Sequence, residues 1–141
     1  MSWDVVLFKI PDDFASIADI PQDYKPVPLG SRVEVETALR KAVPSVDLSD
    51  PTWGTLEGPT WSIELNIGRA DPIETIMLHV RGGGDDVLVE IFTMAAALDC
   101  RVLDCSSGDF IVTPEATDGW HGFQAFRDRA AWALGGSGAQ Q

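Results

Sequence analysis

The sequence predicts an α+β fold: a mostly antiparallel sheet with helices packed mainly on one face, in the order β-α-β-β-β-α-β-(β)-α. Two segments, WSIELNI (61–67) and TIMLHVR (75–81), alternate apolar and polar residues, the pattern of strands with one covered and one wet face. Three other stretches carry apolar residues at helical spacing. A first segment, WDVVLFKI (3–10), is apolar on both faces, which suits a central strand.

In chain order, Pro11 ends the first strand. Residues 11–30 hold prolines 11, 21, 26 and 28, so a long ordered loop is expected, with one helical turn near Phe14 to Ala18. Ser31 and Glu34 form a capping box for a helix that ends before Pro44, with Val35, Ala38, Leu39 and Ala42 as its stripe. A turn-rich stretch leads to a short strand near Thr55 to Glu57, and Gly58-Pro59 turns the chain. The alternating strands 61–67 and 75–81 flank GRADP. After three glycines, Asp85 and Asp86 open a helix as its acidic caps, with Leu88, Ile91, Phe92, Ala95 and Leu98 inward. Residues 101–105 read as a short strand, Asp109 to Val112 as another, and Trp120 to Leu134 as a last helix striped by Phe123, Phe126, Ala130 and Leu134. One domain over 1–134 and a flexible tail over 135–141 are expected.

Composition excludes several functions. Net charge is −12, from 22 acidic and 10 basic residues. Such a chain lacks the cations that neutralise nucleic-acid phosphates or anionic lipid, so neither nucleic acid nor a membrane is expected as partner. A basic protein is compatible with that charge. The start MSWDVVLFKIPDD has no signal-peptide pattern, and no apolar run reaches membrane-span length. Cys100 and Cys105 make no disulfide framework and read as free thiols, which points to the cytoplasm.

Pairing strands 61–67 and 75–81 with apolar residues together sets Glu64 opposite His79, Ser62 opposite Arg81, and Asn66 beside Met77. Glu64 could then orient the His79 imidazole while Arg81 holds an anion, a trio suited to acid–base catalysis. The same residues also suit a solvated face with cross-strand salt bridges, and no nucleophile or metal set completes the group. Arg81-Gly82-Gly83-Gly84 precedes a helix, where glycines expose backbone N–H groups to a ligand. It lacks the GK[ST] of a phosphate loop, and its two aspartates would repel phosphate. No His or Cys pair has zinc-ligand spacing, Asp47 and Asp50 lack a calcium-loop pattern, and no cofactor is implied. Trp53, Trp61, Trp120 and Trp132 are interface candidates, since Trp is over-represented at interfaces. Trp120 and Trp132 fall off the stripe of the last helix, so they mark either a docking surface, including one for a second copy, or extra core.

At DPTWG (50–54), WSIELNIG (61–68), MLHVRGGG (77–84) and LDCSSGDF (103–110) the chain resembles a group of small uncharacterised bacterial proteins. The resemblance runs from the start to about residue 112. It implies a bacterial cytoplasmic protein without an assigned activity, and supplies no catalytic residues. Size, acidity and the lack of a catalytic motif in the sequence fit, as the expected function, a non-enzymatic protein-binding domain, immunity- or antitoxin-like or regulatory. The alternative is a small enzyme or ligand-binding protein with its site at Glu64, His79 and Arg81.

Overall fold

Alternation, capping and turn chemistry place ten elements along the chain in a computed structural model that describes residues 2–112 and 118–135. Strand β1 spans Trp3–Phe8, and a 3₁₀ turn, Ile17–Asp19, sits in the proline-rich loop. Helix α1 covers Arg32–Ala42, followed by β2 (Trp53–Glu57), β3 (Trp61–Asn66) and β4 (Ile76–Gly82). Helix α2 covers Asp86–Ala97, then β5 (Arg101–Asp104), β6 (Asp109–Ile111) and α3 (Asp118–Gly135). The six strands form one antiparallel sheet in the order β2-β3-β4-β1-β5-β6. This is the expected α+β order, with the strand at 109–111 present and β1 central. Of the expected tail at 135–141, Gly135 ends α3 and residues 136–141 lie outside the described residues, as do the side chains of Phe126, Ala130, Trp132 and Leu134. Among the described residues no helix is long and apolar enough to cross a membrane.

One sheet face carries Trp3, Val5 and Leu7 of β1, Ile63 and Leu65 of β3, and Ile76, Leu78 and Val80 of β4, all buried. Helices α1 and α2 cover it with Val35, Leu39, Leu88, Ile91 and Met94 in the same core. The α1 capping box forms as expected: Ser31 Oγ accepts from Glu34 N at 3.1 Å, and Glu34 Oε1 accepts from Ser31 N at 2.9 Å.

The opposite face is divided. Over β1, β5 and β6, Phe8, Leu103 and Phe110 are buried against Ile10, with Phe14, Ile20 and Tyr24 from the proline-rich loop. Arg101 pins that loop: its Nη1 donates to Pro11 O at 2.8 Å and Phe14 O at 2.7 Å, and its guanidinium lies 3.9 Å over the Phe110 ring. Over β2, β3 and β4 the loop does not reach.

One alternative is selected and one expectation changes. Of its two readings Trp120 takes the core and is no docking residue: it is 0% exposed, packs on Trp3 with ring centroids 5.3 Å apart, and donates from Nε1 to Gly84 O at 3.0 Å. It also stacks on Phe123 of the expected stripe, with centroids 5.7 Å apart, so the two residues share one buried face of α3. Asp85 makes no side-chain cap to α2; it accepts instead from His121 Nε2 at 2.8 Å, while Asp86 accepts from Trp61 Nε1 at 3.0 Å. Tertiary donors outcompete the helix start for both carboxylates.

The core makes a direct prediction. Leu78→Ala, at the fully buried centre of the sheet, should cost about 2–5 kcal/mol, seen as a lower urea midpoint. Val33→Ala, on the exposed side of α1, should change stability by less than about 0.5 kcal/mol in the same measurement.

Candidate functional site

The uncovered half of the sheet is built by alternation. Residues whose neighbours face the helices must face away: Trp53 and Thr55 on β2, Ser62, Glu64 and Asn66 on β3, Met77, His79 and Arg81 on β4, and Asp4 on β1. The register places Glu64 opposite His79, Ser62 opposite Arg81, and Asn66 opposite Met77, as the apolar pattern requires.

The side chains pair differently from the expected trio. His79 has cross-strand neighbours on both sides, Glu64 on β3 and Asp4 on β1. Its Nδ1–H donates to Asp4 Oδ1 at 2.8 Å. Glu64 instead accepts from Arg81 Nη1, one step along β4. The longer Arg side chain reaches diagonally, and a charge-assisted bond to guanidinium is the stronger one. Arg81 therefore directs its charge to Glu64 rather than to a bound anion, and Glu64 does not orient His79. The hydrogen bond from Arg81, with its charge and that from Trp53, holds the Glu64 carboxyl below the usual range despite partial burial, which makes it a weak base. Trp53 lies across β3 and stacks on His79, with centroids 5.7 Å apart and planes at 22°. It remains 37% exposed.

The glycine loop holds its own neighbours. Gly83 N donates to Thr60 O at 3.0 Å, and Thr60 Oγ1 donates to Gly83 O at 2.9 Å. Gly84 N donates to Gln124 Oε1 at 3.3 Å. At Gly82, φ is +96° and a Cβ would sit 2.3 Å from Thr60 O, so only glycine lets the two chains pass. The expected ligand loop at Arg81, Gly82, Gly83 and Gly84 is thus a packed corner: the amides of Gly83 and Gly84 already have acceptors within the chain, and the glycines serve close approach.

Sequence reasoning missed Asp4; it marked Trp53 as an interface candidate, but not its stacking on His79. The signal for Asp4 was its place between Trp3 and Val5, which puts it on the polar face, but its meeting with His79 needs the non-local β1–β4 pairing. Asp47 and Asp50 serve turns, as expected for Asp50: Asp47 Oδ1 accepts from Ser49 N, and Asp50 Oδ1 accepts from Thr52 N, both at 2.9 Å. Among the described residues no group of three His, Cys, Asp or Glu side chains is placed to hold a metal ion. Cys100 and Cys105 flank β5 as free thiols. Burial pushes the Cys100 thiol up to about 12, and burial with Asp4 and Asp104 nearby raises Cys105. Both are protonated at neutral pH and poor nucleophiles.

Two measurements follow. Glu64 is ionised in the fold below its unfolded value of 4.5, so its contribution to stability is full above that pH and is lost as pH falls through the lower folded value. In Arg81→Met, Glu64 should titrate closer to 4.5 by carbon-detected NMR. Iodoacetamide should label Cys105 slowly and Cys100 more slowly still in the folded protein, and both together in urea, read by peptide mass spectrometry.

Compared with protein-family models, curated proteins and solved structures, the chain matches none.

Proposed function

We propose that the chain is a non-enzymatic protein-binding domain, of the immunity, antitoxin or regulatory kind, that docks the uncovered half of its sheet on a basic partner protein. The observation that carries this is Trp53: a half-exposed indole laid flat on His79 at the middle of an ordered face, with Asp4 and Glu64 about it. Trp is the side chain most enriched where truncation costs most binding energy. The chain charge of −12 would speed encounter with a cationic surface. The catalytic candidates support binding over chemistry, because Arg81 and Glu64 neutralise each other and Glu64 is held weakly basic. Free thiols at Cys100 and Cys105 suit a reducing compartment, and with the motif resemblance this reading places the protein in a bacterial cytoplasm.

One observation favours the second reading, a small acid–base or ligand site. Asp4 fixes the His79 imidazole through Nδ1, the arrangement that leaves Nε2 to act on a bound molecule.

The test is capture of partners by the tagged protein from its own cell lysate at low and high salt, followed by an affinity measurement on the purified partner. One stoichiometric basic protein should be retained and lost at high salt, and Trp53→Ala should weaken it by about thirtyfold or more. Unchanged affinity in Trp53→Ala, or recovery of the chain's own copies alone, would sink this reading. A ligand whose binding vanishes in His79→Ala would establish the second.

A further inference from the structure

Two sulfurs meet on the uncovered face although their strands are not neighbours. Met77 is on β4, Cys105 directly follows β5, and β1 lies between those strands. On β1, Val6 is the register partner of Met77, and Asp4 O accepts from Cys105 N at 3.1 Å. The two side chains therefore start two residues apart along β1, on opposite sides of it. They reach toward each other over that strand, and Cys105 Sγ lies 3.8 Å from Met77 Sδ. Cys105 is exposed and Met77 half-buried, so an ion from solvent can reach the pair.

The separation suits a shared ion. A thiolate sulfur sits about 2.3 Å from a bound zinc ion, and copper(I) is of similar size. Two sulfurs on one such ion stand about 3.8 Å apart at a tetrahedral angle and about 4.6 Å apart when opposed. The pair is thus already at the spacing of two ligands, and side-chain rotation alone covers the range.

The surroundings favour a cation there. Burial, together with the charges of Asp4 and Asp104, raises the Cys105 thiol and keeps its proton on. The same two carboxylates make a negative field at the sulfur, and a metal cation takes the place of the proton. Asp4 acts as a neighbouring charge rather than a ligand, because its Oδ1 already accepts from Ser2 Oγ and His79 Nδ1.

The donors select the ion. Calcium and magnesium require six or more oxygens, and zinc takes four ligands. A thiolate beside a thioether is a soft pair of the kind that selects copper(I), an ion content with two or three ligands.

We propose that Cys105 and Met77 form a binding site for copper(I), with the Cys105 thiolate and the Met77 thioether as its ligands. The thiol gives its proton to solvent as the copper–sulfur bond forms, and copper stays in the +1 state, so no oxidant or reductant is consumed. Copper binding here stands apart from docking: either can hold without the other. Packing also brings two sulfurs this close, and the two accounts differ in whether the Met77 sulfur contributes to holding the metal.

The test uses the full chain, reduced and kept from oxygen, with its methionine methyl groups labelled with carbon-13. The sequence has three methionines, and the fully buried Met94 serves as the internal control. The Met77 methyl signal, identified by its loss in Met77→Leu, should move and reach its end point at one equivalent of copper(I), while that of Met94 stays. Zinc should leave the Met77 signal where it is. In competition against the chelator ferrozine, Met77→Leu should hold copper(I) at least about tenfold more weakly than the natural chain. Cys105→Ser should lose the site although Cys100 is retained. A Met77 methyl that ignores copper(I), a Met77→Leu chain that holds it as tightly as the natural one, or a Cys105→Ser chain that keeps it would each overturn the proposal. The methyl signal is read on the natural chain, so the outcome does not depend on either variant folding.

Discussion

β1 is apolar on both faces, and the rest of the structure answers that one demand. Its main chain is satisfied by β4 on one side and β5 on the other, which puts it inside the sheet. Its Trp3, Val5 and Leu7 face requires the helices. Its Val6 and Phe8 face requires a second cover, and the chain supplies the proline-rich loop that follows directly. A loop can lie over a core only if its own polar groups find partners. Arg101 takes two of its carbonyls, and Ile17 N finds Gly108 O at 2.7 Å. That loop starts at β1 and spans β5 and β6, so β2, β3 and β4 stay bare on that side. Their outward positions are mostly polar for that reason, with Trp53 and Met77 the apolar ones among them. The candidate site is the part of the sheet that the cover for β1 does not reach.

What the sequence makes legible follows from how local each cause is. Alternation at 61–67 and 75–81 is a two-residue pattern, and the need to keep apolar residues together selects one register, so Glu64 opposite His79 follows from the residue pattern alone. The partners those residues choose do not. His79 is next to Glu64 in the hairpin, yet it bonds to Asp4, seventy-five positions away, because β1 rather than another strand flanks β4. Gly82 to Gly84 read as an opening for a ligand because three glycines between a strand and a helix look the same whether the close neighbour is foreign or internal. Here the neighbours are Thr60 and Trp120 of the same chain. Trp120 reads as either core or surface for a related reason: a helix pattern does not show what its face meets, and here Trp120 stacks on Phe123 and packs on Trp3 from the other end of the chain.

The charge pairs on the open face shape it more than they stabilise it. Glu64 and Arg81 are each about one-third to one-half exposed, and such pairs contribute little after solvent screening and side-chain ordering. Their effect is geometric. Arg81 draws Glu64 away from the imidazole, Asp4 holds the imidazole in place, and Trp53 then has a fixed ring to lie on. A mobile indole would lose freedom on docking, whereas one already stacked has lost most of it beforehand. The face is thus pre-organised by interactions that would hardly register in an unfolding measurement.

The sheet edges explain why recognition would fall on a face. An open edge strand invites another chain to add to the sheet. At β2, Asp47 and Thr55 exchange main-chain bonds of 2.8 and 3.0 Å, which closes that edge at its centre. At β6, Ser16 bridges Asp109, and Phe110 N donates to Ala15 O at 3.2 Å. Both edges are therefore occupied by the protein's own connecting segments at the places where a strand would dock. Under the proposed docking, a partner would meet side chains instead of a main-chain ladder, and side chains discriminate by charge and shape where a ladder does not. Selectivity for a cationic surface over an extended peptide would then be a property of Trp53, Glu64 and Asp4.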